Sequence, residues 1–466
     1  MFEFLDKKNN QLVFIAIHVA IGYLGSVSAF FVSGFYVLII ALFFFDVLLK
    51  GDSGSRAGFY ALYIVGFEIV YRISGITISA ELGKYASIII LLSGMIVGKK
   101  NSSPYIFILL LVLLLPGMLL STSESSSWTR KIIMASISGP LSLVFSGMYF
   151  YKRRVSLKAY NMGMKFVFYP SIALLVLLTF KASLANIQIT TLSSNASLSG
   201  GFGPNQVSTA LGWLFAVGVM ELIRGNCLLR YKWLDITVCA FLLFRGLLTM
   251  SRGGIMGAFI AIIFALLIMY VIDKQSRRKI NKLLMPIFVV SLFMFVGVWY
   301  ANYLTNDFLL YRYQGKNGKE LRTGEIDEDK SVLTGRAEFM AADIEAFKAE
   351  PFVGVGYGMS PVWHEIHTGS AAASHTEYTR LFAENGSLGV IYMLIAFLIL
   401  PISHFFNLKV GSGNHFHFLV FLIISYTVMV HAAMRLAIPG VVYGAAFMSI
   451  YQNNRPKRNA KNVLPK

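Results

Sequence analysis

The sequence predicts an all-α protein that crosses a membrane many times. Two features of composition support this fold class: 56% of the 466 residues are hydrophobic and only 14% are charged, and the mean hydropathy is +0.65. Soluble chains carry about a quarter charged residues, so the composition excludes both a soluble enzyme and a disordered protein. A third feature is the number of apolar runs, about fourteen, each close to the roughly 20 residues that one membrane-spanning helix needs.

The apolar runs follow one another with short turns between them. The first is long and has no convincing small-residue cleavage site, so we interpret it as a retained helix rather than a signal peptide. The runs lie near residues 12–32, 33–49, 57–78, 85–98, 104–120, 132–151, 162–181, 207–223, 234–250, 253–272, 283–303, 386–404, 416–433 and 436–452.

The net charge of +18 predicts the orientation of these helices. Short cytoplasmic loops of membrane proteins are rich in Lys and Arg. If the N-terminus is cytoplasmic, 24 of the basic residues, including the cluster Lys152–Arg154, fall in cytoplasmic loops and tails. The sequence therefore predicts an even number of spans, with both termini in the cytoplasm. Because the charge surplus follows topology, it does not indicate a nucleic-acid partner.

The spans divide the chain into three parts. Residues 1–304 carry helices 1–11, and residues 386–466 carry helices 12–14 with a basic tail. Residues 305–385 between helices 11 and 12 form one large extracytoplasmic loop, which has 13 acidic and 8 basic residues. Loops of this length are usually functional or disordered.

The second half of this loop has a helical pattern, whereas Gln314 to Lys330 is expected to be mobile. Apolar residues at three- and four-residue spacing predict a helix over 334–349 that ends at Glu350-Pro351. Three glycines at 354, 356 and 358 then predict a flexible turn. The apolar face of the helix would consist of Ala337, Met340, Ala341, Ile344 and Phe347.

Ionisable residues inside membrane spans are costly and need a partner or a function. Glu68 and Arg72, four residues apart, have the spacing of an ion pair within one helix. Arg245 and Arg252 lack such a partner, and seven residues would place them on one helix face about 10 Å apart. They predict a water-filled cavity that binds an anion such as phosphate; the alternative is pairing with acids of distant helices.

His431 and Arg435 stand at an outer helix end. They are predicted either to line the same cavity or to anchor the helix at the membrane interface.

The loop also offers a candidate base, His375. Ser374 and Glu377 have the spacing of a capping box, which would place His375 in the first turn of a helix. There the helix dipole keeps the imidazole neutral and able to accept a proton. The alternative is a structural or solvated histidine.

Metal binding is not predicted by the remaining candidate ligands. His364 and His367 have no third ligand at a diagnostic spacing, so no metal is expected there. Cys227 and Cys239 are too few for a disulfide framework, lack metal-ligand spacing and are interpreted as inert apolar residues.

Several short motifs occur in an ordered set and on one predicted side of the membrane. They are Gly203-Pro204-Asn205-Gln206, Ser251-Arg252-Gly253-Gly254, Thr334-Gly335-Arg336, Pro351-Phe352-Val353-Gly354-Val355-Gly356, His375 and Glu384-Asn385-Gly386-Ser387-Leu388-Gly389. With this set, which covers roughly residues 200 to 400, the chain resembles the O-antigen polymerase and O-antigen ligase family of bacterial cell-envelope glycosyltransferases. Thr376 departs from the Asn that many members have after the histidine.

The resemblance implies a GT-C-like, metal-independent glycosyltransferase in the bacterial inner membrane, without a cofactor. Its substrate would be an undecaprenyl-pyrophosphate-linked oligosaccharide, with membrane lipid around it and a chain-length regulator protein as a further partner. Arg252 and Arg336 would hold the pyrophosphate, and His375 would activate the acceptor hydroxyl. Local chemistry agrees with these roles, because the reaction needs cations at the leaving group and a base at the nucleophile.

Three functions remain possible at this point. About fourteen spans favour a polymerase, since the resembling ligases typically have about twelve. A ligase would instead transfer the glycan to lipid A-core. A transporter or flippase for lipid-linked sugars would use mid-membrane charges such as Glu68 and Arg245, but it predicts internal repeats, which the sequence lacks.

Overall fold

The computed structural model describes residues 7–98, 105–120, 127–182, 194–273, 277–278, 295–314, 336–371, 373–410 and 413–452. In these ranges the chain is an all-α, polytopic membrane protein, as predicted. The helices are α1 (Lys8–Val27), α2 (Ala29–Lys50), α3 (Arg56–Ser74), α4 (Leu82–Val97), α5 (Tyr105–Leu120), α6 (Ser127–Phe150), α7 (Leu157–Phe168), α8 (Pro170–Lys181), α9 (Pro204–Ile223), α10 (Lys232–Leu248), α11 (Arg252–Ile272), α12 (Phe308–Tyr313), α13 (Arg336–Ala349), α14 (Ser360–Thr368), α15 (Glu377–Met393), α16 (Leu400–Asn407), α17 (Asn414–His431) and α18 (Ile438–Ala446). Shorter elements are two 3-10 turns, Ser53–Ser55 and Ser197–Ser199, a π-helical segment, Leu394–Ile399, and two strands, β1 (Arg154–Ser156) and β2 (Ser449–Tyr451).

Eight helical segments of the described ranges are long and apolar enough to cross a membrane. One of them joins α7 to α8, and another runs from α15 through the π-helical segment into α16. Helices α4 and α5 are apolar but shorter. The predicted span 283–303 lies mostly outside the described residues, which include only its helical end from 295. The count of about fourteen spans therefore stays a prediction.

Helix α3 is the central helix of the bundle. All of its residues from Arg56 to Ser74 are buried, and it packs against α2, α4, α7 and α8. Glu68 and Arg72 form the predicted ion pair, with 2.6 Å between Oε1 and Nη2. A buried charge thus lies in the most enclosed helix, where only a complete set of hydrogen bonds makes it tolerable.

The chain changes direction between Arg245 and Arg252. Helix α10 ends at Leu248 and α11 begins at Arg252, with Met250 between them at φ 55°. Such a positive φ interrupts the helix. The prediction that both arginines lie on one helical face is therefore wrong, because the seven-residue argument holds only for a continuous helix.

The last predicted span, 436–452, is not one continuous helix. Helix α18 has nine residues, about 14 Å at 1.5 Å per residue, and is followed by β2. Strand β2 runs parallel to β1, and Ser449 N donates to Arg153 O at 2.8 Å. The pairing places the basic segment around Arg153 beside the end of the described chain. Both segments are predicted to lie on the same side of the membrane, and the pairing agrees with this.

Helices α13 and α14 lie in the predicted loop 305–385. The helix predicted over 334–349 is confirmed from Arg336 to Ala349, while 315–335 lies outside the described residues, including most of the segment expected to be mobile. The predicted apolar face is wrong. Residues Ala337, Ala341 and Ile344 are exposed, whereas the buried face carries Ala342, Asp343 and Ala346.

The glycine turn after α13 is present but tightly bonded. Gly354, Gly356 and Gly358 all have positive φ, and the backbone of this turn pairs with α15. Val355 N donates to Ala383 O at 2.9 Å, and Gly356 N donates to Glu384 O at 3.2 Å. The turn thus fixes the loop helices onto the first half of α15.

Candidate active site

Two of the sequence motifs meet where α9 and α11 begin, which we call the loop end of the bundle. Ser251 Oγ donates to Asn205 Oδ1 at 2.7 Å, and Ser208 Oγ donates to the carbonyl of Ser251 at 2.8 Å. These bonds join the segment 203–206 to the segment 251–254. Two helix N-termini, each with a positive dipole end, therefore lie side by side.

The paired glycines after Arg252 allow this close approach. A Cβ on Gly254 would come well under 3.0 Å from the backbone of Ser208 in α9, and one on Gly253 would equally overlap the ring of His431 in α17. Both positions therefore require glycine. The start of α11 is held between α9 and α17.

Arg252 is the first residue of α11 and is half-buried. Among the described residues, its guanidinium has no hydrogen-bond or ion-pair partner. Tyr313, at the end of α12, is near it: burial raises the pKa of Tyr313 to about 12, and the charge of Arg252 acts in the opposite direction. An arginine in this setting has donors available for an anion.

His375 lies just before α15, and the predicted capping box is wrong. The N-cap is Thr376, whose hydroxyl accepts a hydrogen bond from Thr379 N at 3.3 Å. Ser374 donates instead to Asp343 Oδ1 at 3.1 Å. His375 is half-buried, with its ring centroid 6.3 Å from that of Phe339. It thus precedes the helix rather than lying in its first turn, but still near the helix N-terminus.

A buried charge network fixes the first turns of α15. Arg380 pairs with Glu377 and with Glu384, the latter at 3.0 Å. Glu377 also accepts a hydrogen bond from Met434 N at 3.1 Å. The network ties α15 to the segment 432–437, which connects α17 to α18.

The connecting segment 432–437 is also bonded to α3 and to the chain before His375. Glu68 accepts from Ala437 N at 2.8 Å and Arg72 donates to the carbonyl of Arg435 at 2.9 Å. Arg435 in turn donates from Nη2 to Ala373 O at 2.9 Å and to Ser374 O at 3.2 Å. The guanidinium of Arg435 therefore contacts the backbone immediately before His375.

His431 completes this connection on the α9 side. Its Nε2 lies 2.9 Å from Thr209 Oγ1, and its ring lies against Gly253. His431 therefore contacts the start of α11, and Arg435 contacts the chain before His375. That they line a substrate cavity stays a prediction.

The other two predicted arginines have different positions. Arg245 is buried in α10 and donates to the carbonyl of Ala182 at 3.0 Å, at the end of α8. Arg336 is the first residue of α13, but its side chain lies outside the described residues. The described structure therefore joins the residue after Arg252, Gly253, to His431, and joins Arg435 to the backbone before His375. Arg245 bonds to the end of α8 instead.

The two other loop histidines have structural contacts. His364 Nε2 lies 2.8 Å from Asp343 Oδ1, and His367 stacks on Trp363 with ring centroids 5.5 Å apart. In the described part of the chain, no group of three His, Cys, Asp or Glu is arranged to hold a metal. Sequence patterns gave no signal for Asp343 or Tyr313, because each is defined by neighbours far away in the chain.

Residues 237–394 match the O-antigen ligase family. The matched segment runs from α10 through α11 and the loop helices into α15, so it contains both Arg252 and His375. The match confirms the resemblance indicated by the motifs, over about a third of the chain. It supports a membrane enzyme of the polymerase or ligase type, with glycosyltransferase-like activity in polysaccharide biosynthesis. No curated protein matches the chain.

Proposed function

We propose that the protein is a polysaccharide polymerase of the bacterial inner membrane. It transfers a growing glycan from undecaprenyl pyrophosphate to the next lipid-linked oligosaccharide repeat unit, on the extracytoplasmic side. The observation that carries the proposal is the set of contacts that links the start of α11, next to Arg252, to the backbone before His375: Gly253 lies against His431, and Arg435, four residues further along the chain, donates to Ala373 O and Ser374 O. It combines a cation available for phosphate with a candidate base at one end of the bundle.

The proposed chemistry is a single displacement without a metal or cofactor. The acceptor hydroxyl attacks the anomeric carbon of the donor glycan, and His375 accepts the hydroxyl proton. The bond between that carbon and the pyrophosphate oxygen breaks. Arg252, together with Arg336, stabilises the negative charge that develops on the pyrophosphate. The helix N-termini of α9 and α11 add to the same positive field.

A ligase is the second candidate, because the matching family is described as O-antigen ligase. The two activities share the donor and the catalytic groups, and they differ only in the acceptor. The polymerase is favoured by the predicted count of about fourteen spans. A chain-length regulator would be the expected protein partner of a polymerase.

The test uses a strain that lacks the gene for this protein, complemented with His375→Ala, Arg252→Ala or Arg336→Ala separately. Surface polysaccharide is then separated on a gel, where chains of increasing repeat number form a ladder of bands. We expect each variant to lose the ladder, with a rate loss of about 100-fold or more for the base. His367→Ala, an exposed histidine of the same loop, and Arg154→Ala, exposed at the opposite end of the bundle, are the matched controls. A full ladder from all three variants would refute the transferase mechanism.

The same gels separate the two acceptors. Loss of polymerase activity leaves lipopolysaccharide that carries a single repeat unit, whereas loss of ligase activity removes all attached chains. If the deletion strain carries no repeat unit at all, the ligase replaces the polymerase as the function.

A further inference from the structure

Asp343 is a buried carboxylate in the face of α13 that packs on the site. It is 1% exposed and has partners on both oxygens. Oδ1 accepts from Ser374 Oγ at 3.1 Å and lies 2.8 Å from His364 Nε2, while Oδ2 accepts from Thr379 Oγ1 at 2.7 Å. Three separate segments of the loop therefore meet at one side chain.

Two of these partners stand on either side of His375 in the sequence. Ser374 precedes it directly, and Thr379 lies in the first turn of α15. The N–H of Thr379 also bonds to the N-cap hydroxyl of Thr376. Asp343 thus closes a short loop of chain around His375 and fixes where that loop meets the helix.

The same face of α13 also contacts the imidazole rings. Phe339 lies one turn before Asp343, and its ring centroid is 5.0 Å from that of His364 and 6.3 Å from that of His375. The ring of Phe339 limits where the His375 side chain can turn. Helix α13 therefore restrains both the backbone around His375, through Asp343, and the imidazole ring of His375, through Phe339.

Burial of a carboxylate is costly unless hydrogen bonds compensate it. The neighbouring buried positions of α13 are alanines, Ala342 and Ala346, so a small apolar residue would fill this face with no desolvation cost. In some proteins a buried polar or ionic group specifies one arrangement of its partners. The arrangement specified here is that of the turn containing His375.

We propose that Asp343 is a positioning residue for His375, an inference that rests on the proposed function. Asp343 holds the 374–379 turn so that the imidazole faces the acceptor hydroxyl, and it takes no part in the proton transfer. The chemical step therefore depends on Asp343 while binding of the donor at Arg252 does not.

The kinetic test uses Asp343→Asn, which keeps the shape but changes the charge and one acceptor to a donor. Substrate is the lipid-linked oligosaccharide extracted from the deletion strain, with purified full-length protein in detergent. We expect kcat to fall roughly 10- to 100-fold, the range known for residues that orient metal ligands, and KM for the donor to stay unchanged. Glu345→Gln, on the exposed side of the same helix, should keep wild-type kcat.

Two further comparisons separate positioning from general destabilisation. Thr379→Val should reproduce the loss in kcat, whereas Thr379→Ser, which keeps the hydroxyl, should restore most of it. In the background of His375→Ala, Asp343→Asn should have no further effect on the residual rate, because residues that act as one unit are not additive. An additive loss in that background would overturn the proposal, as would an unchanged kcat for Asp343→Asn in the wild-type background.

A readout without turnover keeps this inference separate from the proposed function. Diethylpyrocarbonate modifies accessible histidines, and peptide mass spectrometry reports its rate at His375. We expect Asp343→Asn to raise that rate several-fold and Glu345→Gln to leave it unchanged; equal rates would refute the positioning role. If His375→Ala keeps full activity while Asp343→Asn still raises the modification rate, the proposed function fails and the structural restraint on His375 stands.

Discussion

Replacement of Glu68 by Gln should destabilise the fold strongly. Glu68 is fully buried and receives Arg72 Nη2 at 2.6 Å, Arg72 Nε at 3.1 Å and Ala437 N at 2.8 Å. Gln keeps the shape and one acceptor oxygen, but it removes the negative charge. The side chain of Arg72, 4% exposed, is then a buried charge without its carboxylate. Breaking a buried pair in this way costs about 3–5 kcal/mol.

The measurement is denaturant unfolding of the purified protein in mixed micelles, followed by tryptophan fluorescence. Trp213, buried in α9, reports on the bundle core. Because Glu68→Gln leaves an uncompensated charge, a second substitution that removes this charge, Arg72→Met, should recover most of the lost free energy. A loss below about 1 kcal/mol for the single variant, or a larger loss for the double variant, would refute the reasoning.

The double variant also tests a functional consequence. Without Arg72, the carbonyl of Arg435 loses its hydrogen bond, and Arg435 is the residue that holds the backbone before His375. We therefore expect the double variant to fold but to lose more activity than its stability alone accounts for. The ladder assay, with protein amounts matched by immunoblot, measures this difference, and full activity would contradict the link.

Three further predictions concern the loop end. Gly254→Ala should lower stability by about 1–3 kcal/mol through overpacking against Ser208, measured as a lower thermal midpoint; Gly34→Ala, where a Cβ has open space, is the control. Arg252→Lys should keep the charge but lose bidentate phosphate binding, so KM for the lipid-linked donor should rise, and an unchanged KM would exclude a phosphate role. Thr376→Ala should cost about 1 kcal/mol as a lost N-cap, Thr376→Ser should cost little, and equal unfolding free energies for both would contradict the cap assignment.

The helices of the bundle could be predicted well because they depend on long apolar runs. The predicted start of the span at 207 lies three residues from the observed start of α9 at Pro204, and that at 253 lies one residue from the start of α11. The pattern also predicts α13 and its end before Pro351, although it assigns the buried face to the wrong residues. In each of these cases, many residues contribute to one signal, so no single side chain decides the outcome.

Features that depend on single side chains could not be predicted in the same way. The break at Met250 requires a positive φ at a residue that rarely adopts one, and nothing in the local pattern indicates it. The local pattern does not indicate the cap at Thr376, because Ser374 with Glu377 fits a capping box and Thr376 with Thr379 does not. Ser374 is instead bonded to Asp343, a partner 31 residues away.

The buried carboxylates explain why hydropathy alone does not predict the candidate site. A carboxylate inside an apolar fold lowers the hydropathy of its segment, yet three such groups hold backbone or side chains near the candidate site. Glu68 and Glu377 accept backbone N–H groups of the segment 432–437, and Asp343 holds the turn around His375. Because a buried carboxylate is tolerated only with donors around it, these three groups require the donors that the two adjoining segments supply. The turn around the candidate base His375 is therefore held by partners that apolar packing alone would not supply, whereas the start of α11 with Arg252 is placed by the close packing of Gly253 and Gly254.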